Sequence, residues 1–178
     1  MKQRRSSGLE VVQWKPPRAG FSKINIDAAV LGPMGCGLGM IIRDHNGTVE
    51  WAGVQQTRER WDAGIAEAKA MEFGLRTAVQ MGLANIIVES DCMVLVSMLK
   101  SKSLPLNYLG NVGRSVLSLA SCFNVVEFSF VKRDGNRAAQ CLAHLLPLTY
   151  STRMWVGMVP DIVSDVVLTD CYLVTNNE

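Results

Sequence analysis

The chain has 178 residues, which is enough for one domain with its own core. Because 48% of the residues are hydrophobic and 19% are charged, the composition excludes a disordered tail and a coiled coil. Five cysteines, odd in number and without CxxC spacing, argue against a disulfide framework and a structural zinc site. No apolar run reaches the ~18 residues of a membrane span, and the start does not resemble a cleaved signal. We therefore expect an intracellular protein, nuclear or cytoplasmic, without a membrane partner.

The net charge of +2 hides a basic start and an acidic end. Residues 1–20 are typical of an irregular basic arm pinned near Trp14, and residues 151–178 form an acidic tail. A basic arm suits a nucleic-acid partner, but solvated arms are commoner, so charge alone does not assign one. We place a single domain at residues 21–150 and expect a monomer.

The predicted elements begin with three strands joined by short turns. Period-two alternation predicts a strand at residues 21–30, and two further runs predict strands at residues 37–43 and 48–54. Asn46-Gly47 lies between the second and third strands and is a strong hairpin signal, because both residue types tolerate positive φ. These three strands therefore form an antiparallel meander.

After residue 60 the pattern changes to alternating helices and strands. Small and apolar residues at helical spacing predict a helix over residues 63–81, closed by Gly82. A buried strand follows at residues 85–90 and a further strand at residues 125–131, with helices between and after them. Those helices are predicted at residues 91–99, 107–122 and 136–146. This order predicts an α/β fold with a five-stranded mixed sheet, a three-strand antiparallel meander plus two parallel strands, flanked by helices.

Three acids occupy positions that invite an explanation. Asp27 lies on the first strand, which is either covered by a helix layer or, more commonly, an edge strand with one wet face. Glu67 lies early in the first long helix among small alanines that allow close approach to the sheet, although an exposed acid favoured by the helix dipole is as common. Asp91 follows the strand at 85–90, where α/β sheets place ligands, although Ser90 or Asp91 also suits an N-cap.

Together the three acids predict a metal site. Carboxylates from a strand, a helix and a strand end supply the oxygen ligands that Mg²⁺ prefers. Neither histidine joins this pattern, because His45 falls in the hairpin turn and His144 ends the last helix. The sequence contains no GxGxxG, Walker or GxSxG motif.

The chain also carries several longer motifs in a fixed order. They are Lys23-Ile-Asn-Ile-Asp-Ala28, Gly39-Met-Ile-Ile-Arg-Asp-His-Asn-Gly47, Ala66-Glu-Ala-Lys-Ala70, Val88-Glu-Ser-Asp91 and Phe128-Ser-Phe-Val-Lys-Arg-Asp-Gly-Asn-Arg-Ala138. In this order they resemble the plant ribonuclease H-like domains related to retroelement reverse transcriptases. The resemblance covers about residues 14–148 and implies the ribonuclease H fold.

The resemblance also implies a reaction, namely hydrolysis of the RNA strand of an RNA–DNA hybrid by two Mg²⁺ ions, with Mn²⁺ as an alternative. Asp27, Glu67 and Asp91 match the first three family carboxylates and are the implied catalytic and metal-binding residues. In this chemistry the ions activate a water and stabilise the leaving oxygen. Recognition would use backbone shape and 2′-hydroxyls of the hybrid.

Nucleic-acid contacts are expected around the last helix and the first strand. The residues are Asn25, Lys132, Arg133, Asn136 and Arg137. The three basic residues among them equally suit a solvated face. The partner is an RNA–DNA hybrid or another nucleic acid.

One position departs from the family pattern. Gln140 stands where the family's final helix carries its fourth carboxylate. An amide oxygen ligates Mg²⁺ or holds a water without supplying charge, so we expect the second ion to bind more weakly and activity to be low or absent. Asp134 could replace the missing fourth carboxylate only if its side chain does not cap the final helix, and capping is the commoner role of an aspartate at such a position. Ala28 replaces a family glycine, and we expect only a packing effect.

Three functions therefore remain open. The first is a Mg²⁺-dependent hybrid endonuclease weakened at Gln140, and the second is an inactive nucleic-acid-binding module with the same fold. The third is a protein–protein interaction domain on this scaffold. Three ordered carboxylates favour the first, whereas Gln140 and the near-neutral body of the chain favour the second.

Overall fold

Six strands join into one mixed sheet in the computed structural model. The structure describes residues 13–175, with side chains up to residue 171. The strands are β1 Ser22–Val30, β2 Cys36–Arg43, β3 Val49–Thr57, β4 Asn85–Ser90, β5 Val125–Phe130 and β6 Thr152–Val156. Their order across the sheet is β5-β4-β1-β2-β3-β6. Strands β1, β2, β3 and β6 pair antiparallel, whereas β4 runs parallel to both β1 and β5.

Helices cover both faces of this sheet, and each face has its own apolar core. The described chain contains the α-helices α1 Ala63–Gln80, α2 Met93–Ser101, α3 Tyr108–Ala120, α4 Arg137–Ala143 and α5 Asp161–Thr175. The larger core lies under α1 and α3 and includes Ile24 and Ile26 of β1. The second core lies under α4 and α5, around Ile41 and Ala139. None of these helices is long and apolar enough to cross a membrane.

Helix α4 lies unusually close to β2 because two glycines leave room for it. A Cβ atom on Gly37 would collide with the carbonyl oxygen of Ala143, and one on Gly39 with that of Ala139. Small residues on both sides thus let the backbones approach. This packing fixes the position of α4, which carries Gln140, over the centre of the sheet.

The predicted fold class is confirmed, with one correction to the strand count. The β1–β3 meander, the turn with Gly47 at φ +81° and the parallel pairing of β4 and β5 are as expected. The sheet has six strands instead of five, because β6, from the predicted acidic tail, pairs antiparallel with β3. Helix α5, from the same predicted tail, packs on α4. An isolated five-residue strand carries too little alternation to predict its partner.

A buried polar network connects the N-terminal arm and α5 to the sheet. Trp14 is 1% exposed and donates its indole N–H to Oδ1 of Asn25 at 2.9 Å, and residues 1–12 of the predicted arm lie outside the described residues. The guanidinium of the fully buried Arg43 lies 3.7 Å from the centre of the Trp14 ring. Arg43 also forms a 2.7 Å ion pair with Asp170 of α5. Because a buried guanidinium needs a partner charge, residues outside 21–150 contribute to the packing of the sheet.

Candidate active site

Three carboxylates from three separate elements meet at one place beside the sheet. Asp27 lies on β1, Glu67 on α1, and Asp91 directly after β4. One oxygen of each carboxylate lies within 4.8 Å of the others. Strand β4 runs parallel to β1 and α1 packs across β1, so the topology brings these three positions together.

Asp27 does not lie on an edge strand, which corrects the commoner of the two alternatives considered above. β1 is paired on both sides, with β2 and with β4. Both of its faces are covered by helices, and Asp27 is only 5% exposed. A carboxylate in this position is costly unless a cation or hydrogen bonds compensate its charge.

Glu67 is also buried, so the alternative of an exposed first-turn acid is wrong. Its side chain is 9% exposed and lies between fully buried alanines of α1. Oε1 accepts a hydrogen bond from the backbone N–H of Ala28 at 3.2 Å, and Oε2 accepts one from the Ser90 hydroxyl at 3.3 Å. The two bonds connect this carboxylate to β1 and to the end of β4.

Ser90, which the sequence analysis considered only as a helix cap, completes the support of Glu67. Its hydroxyl oxygen accepts the backbone N–H of Cys92 at 3.0 Å while its hydrogen goes to Glu67. Helix α2 begins at Met93, so Asp91 is not its N-cap residue. The Asp91 carboxylate is therefore not used for capping. In the sequence, the feature that pointed to this support of Glu67 was a serine, Ser90, directly before the acid Asp91 at the end of a strand.

Burial and neighbouring negative charge raise the pKa of two of the three carboxyls, those of Asp27 and Glu67. Burial, together with the nearby Asp91 carboxylate, raises the pKa of Asp27 to about 7. Burial and the charges of Asp27 and Asp91 raise the pKa of Glu67 to about 8. The Arg133 guanidinium acts in the opposite direction on the pKa of Asp27. Crowded carboxylates with unmet negative charge are an all-oxygen ligand set that fits a divalent cation such as Mg²⁺.

Gln140, the predicted fourth ligand, is held by an arginine. Arg133 lies in a short 3-10 turn, Arg133–Gly135, just before α4. With the Gln140 amide oriented so that its oxygen faces the guanidinium, that oxygen accepts Nε of Arg133 at 2.7 Å and also Nη2. The oxygen expected to face a metal is therefore already hydrogen-bonded. Asp134 is exposed, and α4 begins without a side-chain cap, which corrects its predicted capping role.

The predicted nucleic-acid residues divide into exposed and buried groups. The side chains of Lys132, Arg133 and Arg137 are exposed around the start of α4. Asn25 and Asn136 are 0% and 1% exposed, and the amide of Asn25 donates to Oδ1 of Asn136 at 3.2 Å. Both asparagines are thus inside the protein, where nucleic acid has no access, which corrects their predicted role. Alternation alone did not show this, because it does not reveal that both faces of β1 are covered.

A protein-family comparison agrees with this architecture. The family model described as reverse transcriptase-like matches residues 25–146, which is more than half of the chain. The chain belongs to the reverse transcriptase-like family. The ribonuclease H-like resemblance of the sequence motifs is thereby confirmed, while a plant origin stays a prediction. No curated protein sequence matches the chain significantly.

Solved ribonuclease H structures share the fold of this reverse transcriptase-like domain. RNase H1 from the halophilic archaeon Halobacterium salinarum NRC-1 is 20% identical, with 70% of this chain and 95% of that chain covered and a TM-score of 0.65. The N-terminal RNase H domain of rv2228c from Mycobacterium tuberculosis is 21% identical, with 84% and 97% covered and a TM-score of 0.65. LC11-RNase H1 in complex with RNA/DNA hybrid is 17% identical, with 69% and 94% covered and a TM-score of 0.63. The reverse transcriptase-like domain therefore has the ribonuclease H fold.

Proposed function

We propose that this domain is a metal-dependent nuclease that hydrolyses the RNA strand of RNA–DNA hybrids. The observation that carries this proposal is the meeting of Asp27, Glu67 and Asp91 within 4.8 Å, beside the central strands of a ribonuclease H fold. The substrate class is supported by LC11-RNase H1, a fold neighbour that was solved with an RNA/DNA hybrid. All three carboxylates come from one chain, which favours activity as a monomer.

The carboxylates of Asp27, Glu67 and Asp91 would hold the divalent cations, Mg²⁺ or Mn²⁺. Two bound cations supply Lewis acidity that activates a water and stabilises the leaving oxygen. The protein's own contribution is preorganisation, because the Ala28 N–H and the Ser90 hydroxyl fix both oxygens of Glu67 before any cation arrives. The raised pKa values of Asp27 and Glu67 mean that cation binding releases protons and is favoured at higher pH.

The second cation is expected to bind more weakly than the first. Gln140 supplies no negative charge, and its amide oxygen already accepts hydrogen bonds from Arg133. An amide oxygen that must first break its hydrogen bonds to an arginine contributes less to metal affinity than a free carboxylate does. We therefore expect hybrid cleavage to be slower than a fourth carboxylate would allow.

The basic residues before and on α4 would hold the hybrid by its phosphates. Lys132, Arg133 and Arg137 are exposed on one short segment, and Arg133 is close enough to Asp27 to affect its pKa. Lysine and arginine bind backbone phosphates without reading sequence. This segment would therefore place the RNA backbone beside the carboxylates without selecting bases.

A cleavage assay on a labelled RNA–DNA hybrid tests the proposal. The purified chain with Mg²⁺ or Mn²⁺ is expected to nick the RNA strand, and Asp27→Asn is expected to abolish nicking while the thermal unfolding remains cooperative. Asp165→Asn, at an exposed position of α5, is the matched control and is expected to cleave like the parent chain. Failure of the parent chain to cleave with either metal would reject the nuclease.

The Gln140–Arg133 hydrogen bonds favour a second candidate, an inactive nucleic-acid-binding module. In that case the carboxylate cluster would be retained for structure, and the exposed basic residues would carry the function. A gel shift on the hybrid without cleavage in either metal would select this candidate. Binding that weakens on Lys132→Gln would place the contact on the α4 segment.

A further inference from the structure

Strand β5 is an open edge of the sheet. It is the first strand in the order β5-β4-β1-β2-β3-β6, so no strand among residues 13–175 pairs with its outer side. Proteins commonly protect such an edge with lysine, proline or a bulge. The strand Val125-Val-Glu-Phe-Ser-Phe130 has neither lysine nor proline, and its pairing with β4 runs without a register shift. Its valines and phenylalanines are strong strand formers, so β5 is suited to receive a further strand.

The backbone groups of alternate β5 residues point away from the sheet. The N–H groups of Val125 and Val131 donate to the carbonyl oxygens of Ala84 and Ser90, at 3.4 and 3.0 Å. In a parallel pair, only every second residue of a strand bonds to a given neighbour. Because residues 125 and 131 bond toward β4, the even-numbered residues between them present their N–H and C=O groups to the open side. These residues are Val126, Phe128 and Phe130.

A cavity of about 880 Å³ lies beside this edge. It is lined by β5 and by residues near the ends of α2 and α3. Its apolar lining includes Val126, Phe128, Leu99, Leu117 and Ala120. An open strand supplies backbone hydrogen bonds to an added peptide, and neighbouring cavities receive the peptide's alternate side chains. Both requirements for strand addition are therefore met at β5.

The charges around the cavity leave a positive excess. Both of its carboxylates are already paired at 2.6 Å, Glu89 with Lys23 and Glu127 with Arg18. Lys100 and Lys102 also line the cavity and are exposed. Neither of these lysines has an ion-pair partner within the described part of the chain. A ligand that brings negative charge therefore complements this surface.

We propose that β5 is a docking site for an extended, acidic segment of a partner protein, which joins the sheet as a seventh strand. The six residues of β5 span about 20 Å, which accommodates about six residues of such a segment. Its apolar side chains would enter the cavity, and its carboxylates would pair with Lys100 and Lys102. A second copy of β5 complements the site less well, because its single acid, Glu127, is already paired with Arg18. The proposal does not depend on the nuclease activity.

A fluorescein-labelled peptide, Glu-Val-Glu-Val-Glu-Val-Glu, tests the charge preference by fluorescence anisotropy with the full chain. It is expected to bind about tenfold more tightly than the same peptide with lysine in place of glutamate. The double variant Lys100→Glu, Lys102→Glu should reverse this preference. Arg58→Glu, Arg60→Glu makes the same change in net charge at exposed residues outside the cavity and should keep the parent preference.

Two substitutions of Val126 test the backbone hydrogen bonds. Val126→Pro removes an outward N–H and leaves the bonds to β4 in place, which an edge strand tolerates. Val126→Ala shortens the side chain and keeps the N–H. We expect Val126→Pro to weaken the glutamate peptide about tenfold relative to Val126→Ala, with cooperative thermal unfolding retained in both variants. In the parent chain the peptide should also slow hydrogen exchange at the amides of Val126, Phe128 and Phe130, which gives a result even if Val126→Pro does not fold.

Four outcomes would overturn the proposal. They are absence of binding of the glutamate peptide, equal binding of the two peptides, equal binding by Val126→Pro and Val126→Ala, and unchanged exchange at the outward amides. A dimer of the parent chain in sedimentation equilibrium that Val126→Pro dissociates would assign the edge to a second copy and reject the acidic partner. Cleavage of an RNA–DNA hybrid, or its absence, bears on the nuclease proposal alone.

Discussion

The backbone N–H of Ala28 donates a hydrogen bond of 3.2 Å to Oε1 of Glu67. The bond joins α1 to β1 one residue beyond Asp27, so a single contact fixes two of the three carboxylates relative to each other. Ser90 binds the other oxygen of Glu67 and adds the end of β4 to the same unit. The cluster is therefore positioned by main-chain and buried groups of the sheet, which is the arrangement that a preorganised site requires.

The stability of the metal-free protein is expected to fall as pH rises. The pKa values of Asp27 and Glu67 are about 7 and about 8 in the folded protein, whereas both residues titrate near pH 4 in an unfolded chain. Because the folded state holds these protons more tightly, the resulting stabilisation is present below about pH 4 and is lost as pH rises through about 7 to 8. Melting temperatures across this range, with and without Mg²⁺, measure the effect.

Excess Mg²⁺ is expected to restore most of the loss at the alkaline end, because a cation then replaces the protons. The double variant Asp27→Asn, Glu67→Gln serves as control, since its melting temperature should depend much less on pH and hardly on Mg²⁺. A parent chain whose melting temperature is flat between pH 4 and 8 would contradict the coupling of these carboxyls.

Gln140→Asp is expected to lower the Mg²⁺ concentration needed for half-maximal hybrid cleavage and to raise the rate. The new carboxylate supplies the negative charge that the Gln140 amide lacks, so the divalent cations of the proposed site are expected to bind more tightly. Cleavage rates across a Mg²⁺ titration measure the change. Gln140→Asn, which keeps an amide, should not show it, and an unchanged Mg²⁺ titration for Gln140→Asp would separate residue 140 from the metal site.

Asp170→Ala is expected to lower the free energy of unfolding by about 3 kcal/mol, because it leaves the fully buried Arg43 without its partner charge. Urea unfolding followed by tryptophan fluorescence measures the change. The Trp14 ring lies under the Arg43 guanidinium, so its fluorescence reports on this part of the structure. Asp165→Ala, an exposed position on the same helix, should change the free energy by no more than about 0.5 kcal/mol. Equal effects of the two variants would mean that α5 does not stabilise the sheet through this ion pair.

Lys132→Gln is expected to weaken hybrid binding equally for all sequences. If this lysine contacts one phosphate, the slope of log affinity against log salt concentration should become shallower by about 1. Fluorescence anisotropy at several salt concentrations, with Ca²⁺ to prevent cleavage, measures the slope. Arg114→Gln on α3 is the charge-matched control, and equal slopes for Lys132→Gln and the parent chain would exclude the contact.

The sequence by itself determined the order of the first elements, because their signals are local. Alternation identified β1, and Asn46-Gly47 between two apolar runs identified β2, β3 and the turn that joins them. The helical spacing before Gly82 identified α1, and the left-handed Gly82 ends it at φ +70°. The three acids stood out in the sequence only as a set, since each of them alone also had a common structural explanation.

Only the tertiary structure decided what these side chains meet. Asn25 and Asn136 are buried because helices cover both faces of β1, and the pattern of one strand does not report what covers it. The short strand β6 forms only by pairing with β3. The buried Arg43 is compensated by an ion pair with Asp170, which is 127 residues away along the chain. Gln140 and Arg133 were noted separately, but only the structure shows that their side chains are hydrogen-bonded to each other at the start of α4. Burial and charge compensation depend on segments that come together only on folding, so no local pattern contains them.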